Sequence, residues 1–455
     1  MPGADAADRL EWRTDCLCRS VRDKKRSLLL ALKRVAMQAM PYCAIDFGTS
    51  NSAVALPRGE TMVLAPVEGA STTLPTAVFF NTDEHTRAFG RAALAEYIDG
   101  FDGRLMRSLK SILGSSLAET TTDLGDGSGI KYTEVISIFV AFLKRQAEAC
   151  AGVPIERAVL GRPVFFVDDD PRADALAERQ LTDAARAAGL NEIHFQYEPI
   201  AAAFDYELRL DHEALVLVAD IGGGTSDFSL VRVGPERMRR LERKDDVLAH
   251  HGVHVAGTDF DRRAELDAIL PELGYGTLDP EGREVPNRVY FDLATWHLIN
   301  TIYTGKRIGE LALMRHLYRD VRHHERLMRV VERRLGHALA ARAEEAKIGV
   351  AAGGETSIDL DDVESDLRVA FDEAELIEAG AEETRRIVEA ARETVRVAGV
   401  APSSVDALYF TGGSTGLRFL TKALSDAFPG ARPVFGDRLA SVAAGLGIHA
   451  QRLFA

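Results

Sequence analysis

Between Tyr42 and Phe80 short apolar runs alternate with turn residues, which predicts a meander of strands. The period lengthens over Thr133–Ala151, where Val135, Ile138, Phe139, Phe142 and Leu143 recur at helical spacing before Gly152. The run AVLGRPVFFV (158–167) reads as a buried strand, 170–188 as an Asp-rich loop and helix, and 193–197 as a strand. An alanine-rich helix follows over 198–208, with Pro199 suited to its first turn. The second half repeats this plan with paired strands at 214–233, then a turn and helix at 254–270. Residues 271–307 lack a clear period, and Tyr275, Tyr290, Trp296 and Tyr303 are their expected packing anchors. The stretch Arg307–Val350 reads as long and helical, with Leu327, Val331, Leu335 and Leu339 on one stripe. Its Arg315, Arg319, Arg322, Arg326 and Arg329 are expected to form a solvated face, the alternative being a surface for an acidic partner or for nucleotide exchange. Strands alternating with helices in this way predict α/β layers.

Composition narrows the class. With 455 residues, 46% of them hydrophobic, the chain can bury more than one large core, so two lobes or domains are expected. A net charge of −14 argues against a general nucleic-acid binder, and no apolar run approaches membrane-spanning length. Cys16, Cys18, Cys43 and Cys150 fit neither a disulfide framework nor a zinc site, so a cytoplasmic location is expected. His250, His251, His254, His323 and His324 lack ligand spacing and read as surface or structural. Residues 1–40 hold nine Lys/Arg against five Asp/Glu without the order of a signal peptide. They read as a basic, poorly ordered, nonessential extension, the alternative being an amphipathic partner-binding helix. A chain started at Met40 should then keep its ligand binding and solubility.

Two stretches share one grammar: AIDFGTSNSAVAL (44–56) and VADIGGGTSDFSL (218–230). Each has an apolar run, an aspartate, a Gly/Thr/Ser turn and a returning apolar run, which predicts a hairpin whose turn faces phosphate. An aspartate beside a triphosphate would repel it, so Asp46 and Asp220 imply a bridging Mg²⁺. Neither a G-x-x-x-x-G-K-S/T run nor a strand followed by G-x-G-x-x-G is present, so the phosphate site is of another type.

Six segments in order complete the pattern: AIDFGTSNS, LKSILG (109–114), YEPIAAAFDYE (197–207), ADIGGGTSDFSL, AGTDFD (256–261) and YFTGGST (409–415). Over about 41–447 the chain resembles DnaK-type heat-shock chaperones of the actin-like ATPase superfamily, and most closely their short YegD-like branch. That resemblance implies an α/β actin-like ATPase fold with two duplicated lobes around a nucleotide cleft. Lobe I would span 41–212 and lobe II 213–430, with an enlarged outer subdomain at about 257–384 and a segment returning to lobe I over 431–455. It implies ATP/ADP and Mg²⁺ as ligands, with Asp46 and Asp220 beside the hydrated metal. Gly48, Thr49, Ser50, Gly222, Gly223, Gly224 and Thr225 would meet the phosphates. Lys110 matches the family's catalytic lysine, Glu198 the carboxylate that orients the attacking water, and Asp227 a second polariser of that water. Glu344, Lys347, Gly412, Gly413 and Ser414 would meet ribose and adenine.

Departures from the pattern also carry expectations. Gly416 and Ile348 stand where the family places two arginines that sandwich the base, so weaker or less selective adenine binding is expected. Only eight residues follow Gly447, which leaves no room for a peptide-binding domain. Pro163 and Arg179-Gln180 resemble residues that relay nucleotide state. His194 and Tyr197 depart from the residues that dock a J-domain co-chaperone, which argues against that partner. The implied activity is slow hydrolysis of Mg·ATP coupled to a protein client or co-chaperone, with no nucleic acid or membrane partner. The alternatives are a nucleotide-gated assembly module with negligible turnover and a small-molecule kinase of the same superfamily.

Overall fold

The computed structural model describes residues 41–454 apart from 60, 126, 168, 169 and 439. The expectation for residues 1–40 falls outside them.

Two sheets organise the chain. In the first, strand Tyr42–Phe47 pairs antiparallel with Asn51–Arg58, which pairs with Thr61–Leu64 and also with Thr73–Pro75. On its other side lie the parallel strands Arg157–Arg162 and Glu192–Tyr197. In the second sheet, Ala214–Ile221 pairs antiparallel with Ser226–Val233, which pairs with Val247–Val253. Its other neighbours are the parallel strands Ala407–Thr411 and Arg432–Phe435. Numbered within each sheet, the main path of both runs 3-2-1-4-5 with the same strand directions. Both hairpins predicted from the repeated grammar are therefore the first two strands of equivalent sheets. The expected meander, the helix Tyr132–Ala151 and the helix Glu198–Glu207 are also present.

Two boundaries and the burial of one arginine differ from expectation. The strand read over 158–167 ends at Arg162, because Pro163 cannot donate to a ladder. The long helix read over Arg307–Val350 is three pieces, Gly305–Ala312, Val321–Glu332 and Gly336–Val350; the last break holds Arg334 at φ 55°. Arg326 is not on a solvated face. It is buried and paired with Glu272 and Glu364, two carboxylates from distant segments.

One apolar cluster joins the sheets: Tyr42, Ala44 and Val159 from the first, Val216, Val218 and Tyr409 from the second. Helices Glu198–Glu207 and Ser441–Phe454 contribute Ala201–Phe204, Leu446 and Ala450. They cross so closely that a Cβ at Gly445 would lie 1.8 Å from the Ala201 carbonyl oxygen. The alanines and that glycine therefore bring the backbones into contact and set the direction from which Glu198 enters the site.

Beyond the sheets a second contact, here called the rim, joins the two halves of the chain. Tyr97 stacks on Trp296 at 5.2 Å, the Arg107 guanidinium lies 4.5 Å from the Trp296 ring, and His337 packs edge-on to Tyr97. Among the described residues no helix is long and apolar enough to cross a membrane.

Candidate functional site

The first hairpin turn is shaped by Gly48, where a Cβ would meet the Asn51 carbonyl oxygen at 2.1 Å. Thr76 braces it: its hydroxyl donates to the Gly48 carbonyl at 2.8 Å and bonds Ser52 Oγ at 2.9 Å, while its N–H donates to the Ser50 carbonyl. The second turn is braced through carbonyls. Gly222 accepts from Gly257 N–H and Ser414 Oγ, and Gly223 from Thr258 N–H and Oγ1. The Gly222 N–H is itself taken by the Thr225 carbonyl at 2.9 Å, so the second turn could offer an anion donors only from Gly223 onward.

The two turns face each other. A Cβ placed on Gly223 would lie 3.3 Å from Ser50 Oγ. Gly224 is exposed with open space around it, and Thr49, Ser50 and Thr225 are partly exposed.

Charge gathers beneath the turns. Asp46 closes the first strand opposite Ala53, and Asp220 lies opposite Asp227 in the second hairpin. Burial pushes the Asp46 carboxyl up to about 8, aided by the charges of Glu198 and Asp220 against the opposing pull of Lys110. Burial also raises Asp220 to about 7, with Asp227 and Glu198 adding to it and Lys110 opposing. All five groups therefore share one field. Lys110, on the short 3₁₀ turn Leu109–Ile112, reaches Glu198 Oε1 at 2.5 Å. Glu198 sits in the first turn of its helix, where the macrodipole favours a carboxylate.

Four carboxylates surround one ammonium, and the raised Asp46 and Asp220 show that ionising all four together is costly without a further cation. A phosphate chain could not enter without a cation, and paired aspartate oxygens are donors that Mg²⁺ accepts. Among the described residues no three His, Cys, Asp or Glu side chains cluster to enclose a metal. Two aspartates supply part of an Mg²⁺ shell, which waters and phosphate oxygens would complete.

The remaining expected residues fall in two places. Gly412, at φ 87°, passes so close to Asp220 that a Cβ would be 2.7 Å from its Oδ1 and 2.3 Å from the Ile221 carbonyl oxygen. Gly413 opens the following 3₁₀ turn, and Ser414 is buried with its hydroxyl donated to Gly222. Lys347 turns inward to Asp261 at 2.6 Å, and burial raises Asp261 to about 6. Glu344 lies within the electrostatic reach of Arg107 at the rim.

Several contributors were not legible beforehand. Gly161 faces Glu198: a Cβ there would meet its Cγ and Oε1, and Leu446 Cδ1, each at 3.1 Å. His250, read as surface or structural, is 3.8 Å from Asp227 and bonds Ser229 Oγ at 2.9 Å. Gln180, by contrast, is singled out in the sequence with Arg179 as resembling a relay residue; it accepts from Gly114 N–H and donates to Glu119, tying the lysine's loop to helix Pro171–Ala187. Arg162 grips Asp174 and Glu178 in that helix and donates to the Pro163 carbonyl. Only the residue types of these positions are visible in a sequence; their partners lie far along the chain.

Residues 42–265 match the family model described as Hsp70 protein. An Hsp70-family domain of the actin-like ATPase superfamily therefore covers the first sheet, the second hairpin and the helix Gly257–Ala264. Proteins of that family bind nucleotide, typically hydrolyse ATP, and act with protein partners. The match includes Asp46, Lys110, Glu198, Asp220 and Asp227. Glu344, Lys347 and the 412–414 turn lie beyond it.

Proposed function

We propose that the chain is a slow Mg²⁺-dependent ATPase of chaperone type, built as two lobes that close on Mg·ATP and pass that closure to a protein partner. The observation that carries the reading is the opposition of Ser50 to Gly223 above a field shared by Asp46 and Asp220. Two phosphate-facing turns meeting over paired aspartates suit one ligand gripped from both sides.

Within that site each residue has a task. Asp46 and Asp220 would hold the metal, which when bound neutralises phosphate charge. The turn amides at Gly48–Ser50 and Gly223–Thr225 would orient the terminal phosphates, with Gly222 closing the second turn through its N–H to the Thr225 carbonyl. Lys110 places positive charge where it builds up in phosphoryl transfer. Glu198 orients water, and Asp227, held by Thr225 Oγ1 at 2.9 Å, assists. The Lys110–Glu198 bond puts the cation and the water-orienting carboxylate within reach of the same atoms.

Phosphate release by wild type, Lys110→Ala and Glu198→Ala tests the proposal. Each variant should lose about 100-fold in turnover while keeping most of its nucleotide affinity. Equal rates in all three would leave a nucleotide-gated binding module instead.

A further inference from the structure

The turn that follows Gly412 is completed by a side chain from another part of the chain. Gly416 ends the 3₁₀ turn Gly413–Gly416 and offers no side chain of its own. The Arg438 guanidinium lies over it: a Cβ at Gly416 would meet Nη1 at 2.9 Å and Cζ at 3.4 Å. Arg438 stands in the loop between strand Arg432–Phe435 and helix Ser441–Phe454.

That loop is anchored to the strand which feeds the turn. Gly436 N–H donates to the Phe410 carbonyl at 3.0 Å, and its Cα abuts the Tyr409 hydroxyl so tightly that a Cβ would come within 2.2 Å. Ser441 Oγ donates to the Asp437 carbonyl at 2.8 Å and meets Thr411 Oγ1 at 2.5 Å. Arg438 is exposed, and among the described residues it has no hydrogen bond or ion pair. Its guanidinium is thus an exposed planar cation set against glycine backbone. The turn beneath it begins at the glycine that touches Asp220, and four residues of 3₁₀ turn span about 8 Å. A nucleoside running outward from the phosphate turns would bring its base to this surface.

We propose that Arg438 is the base-stacking residue of the nucleotide site, supplying from a separate loop the planar cation that Gly416 does not provide. The assignment rests on the reading of the cleft as a nucleotide site. It changes the expectation drawn from Gly416: purines are favoured over pyrimidines because the larger π face covers more of the guanidinium, while adenine and guanine are distinguished little by it.

Calorimetric titration of the full chain with Mg·ADP, Mg·UDP and Mg·pyrophosphate tests this in wild type, Arg438→Ala and Arg438→Lys. Arg438→Ala should weaken ADP by about tenfold, UDP by less, and pyrophosphate not at all. Arg438→Lys keeps the charge without the plane and should fall near the alanine variant for ADP. ADP affinity equal to wild type in Arg438→Ala would overturn the assignment alone. So would an equal loss for pyrophosphate, which would make Arg438 a phosphate contact. Wild type binding none of the three would overturn the nucleotide site and the stacking residue together.

Discussion

Glu198 owes its position to an absence. The missing side chain at Gly161 leaves the space in which its carboxylate reaches Lys110. Gly161→Ala should push Glu198 aside and lower phosphate release by about tenfold, because water orientation tolerates little displacement. Nucleotide affinity measured by titration should stay within about twofold, since no phosphate contact moves. Gly412→Ala is expected to act differently: at φ 87°, with Ile221 O and Asp220 Oδ1 in the way, it should cost more than about 2 kcal/mol in denaturant unfolding. Asp46, Asp220, Lys110 and Glu198 are legible because their motifs stand in order along the chain. Gly161 and His250 are not, because one matters for a side chain it lacks and the other through strand register with Ser229.

At the level of elements, the repeated hairpin grammar is readable because both strands and the turn lie within a dozen residues. What holds the first turn in shape is not readable. Thr76 reaches Gly48 across 28 positions, and a buried threonine looks like any other strand-edge residue in a sequence. Thr76→Val keeps the shape but leaves the Gly48 carbonyl without that donor, at an expected cost of about 1–3 kcal/mol in urea unfolding. The same variant should weaken pyrophosphate binding, as the turn amides lose their alignment. Arg326 shows the opposite failure. Helical spacing correctly placed Leu327 and Val331 in the core, yet periodicity cannot foresee that Glu272 and Glu364 would draw a neighbouring arginine inward.

Across the whole molecule, the two sheets share a core, and beyond them Tyr97 and Arg107 of the first half meet Trp296 and His337 of the second at the rim. Trp296→Ala removes the stacking partner of Tyr97 and the Arg107 ring contact, so ADP dissociation followed by stopped flow should be about tenfold faster. An unchanged dissociation rate would remove the rim from any role in gating. Acid should loosen the same contact. Burial, helped by the Arg107 charge, depresses His337 to about 4, so the unfolded chain binds more protons than the folded one below about 6.5. Its contribution to stability is complete above that pH and declines toward pH 4, a loss approaching about 2 kcal/mol at pH 5. Urea unfolding of His337→Asn should show a shallower acid slope. The welding of Gly412 to Asp220, and of Ser414 and Gly257 to the Gly222 carbonyl, has a further consequence. One half of the molecule carries the 412–416 and 222–225 turns tied to each other, whereas Lys110 and Glu198 ride on the other; under the proposed function the first pair holds the base and phosphate. A ligand can then stay aboard while the halves drift, and only bond cleavage demands their alignment, so occupancy and turnover should respond to different perturbations.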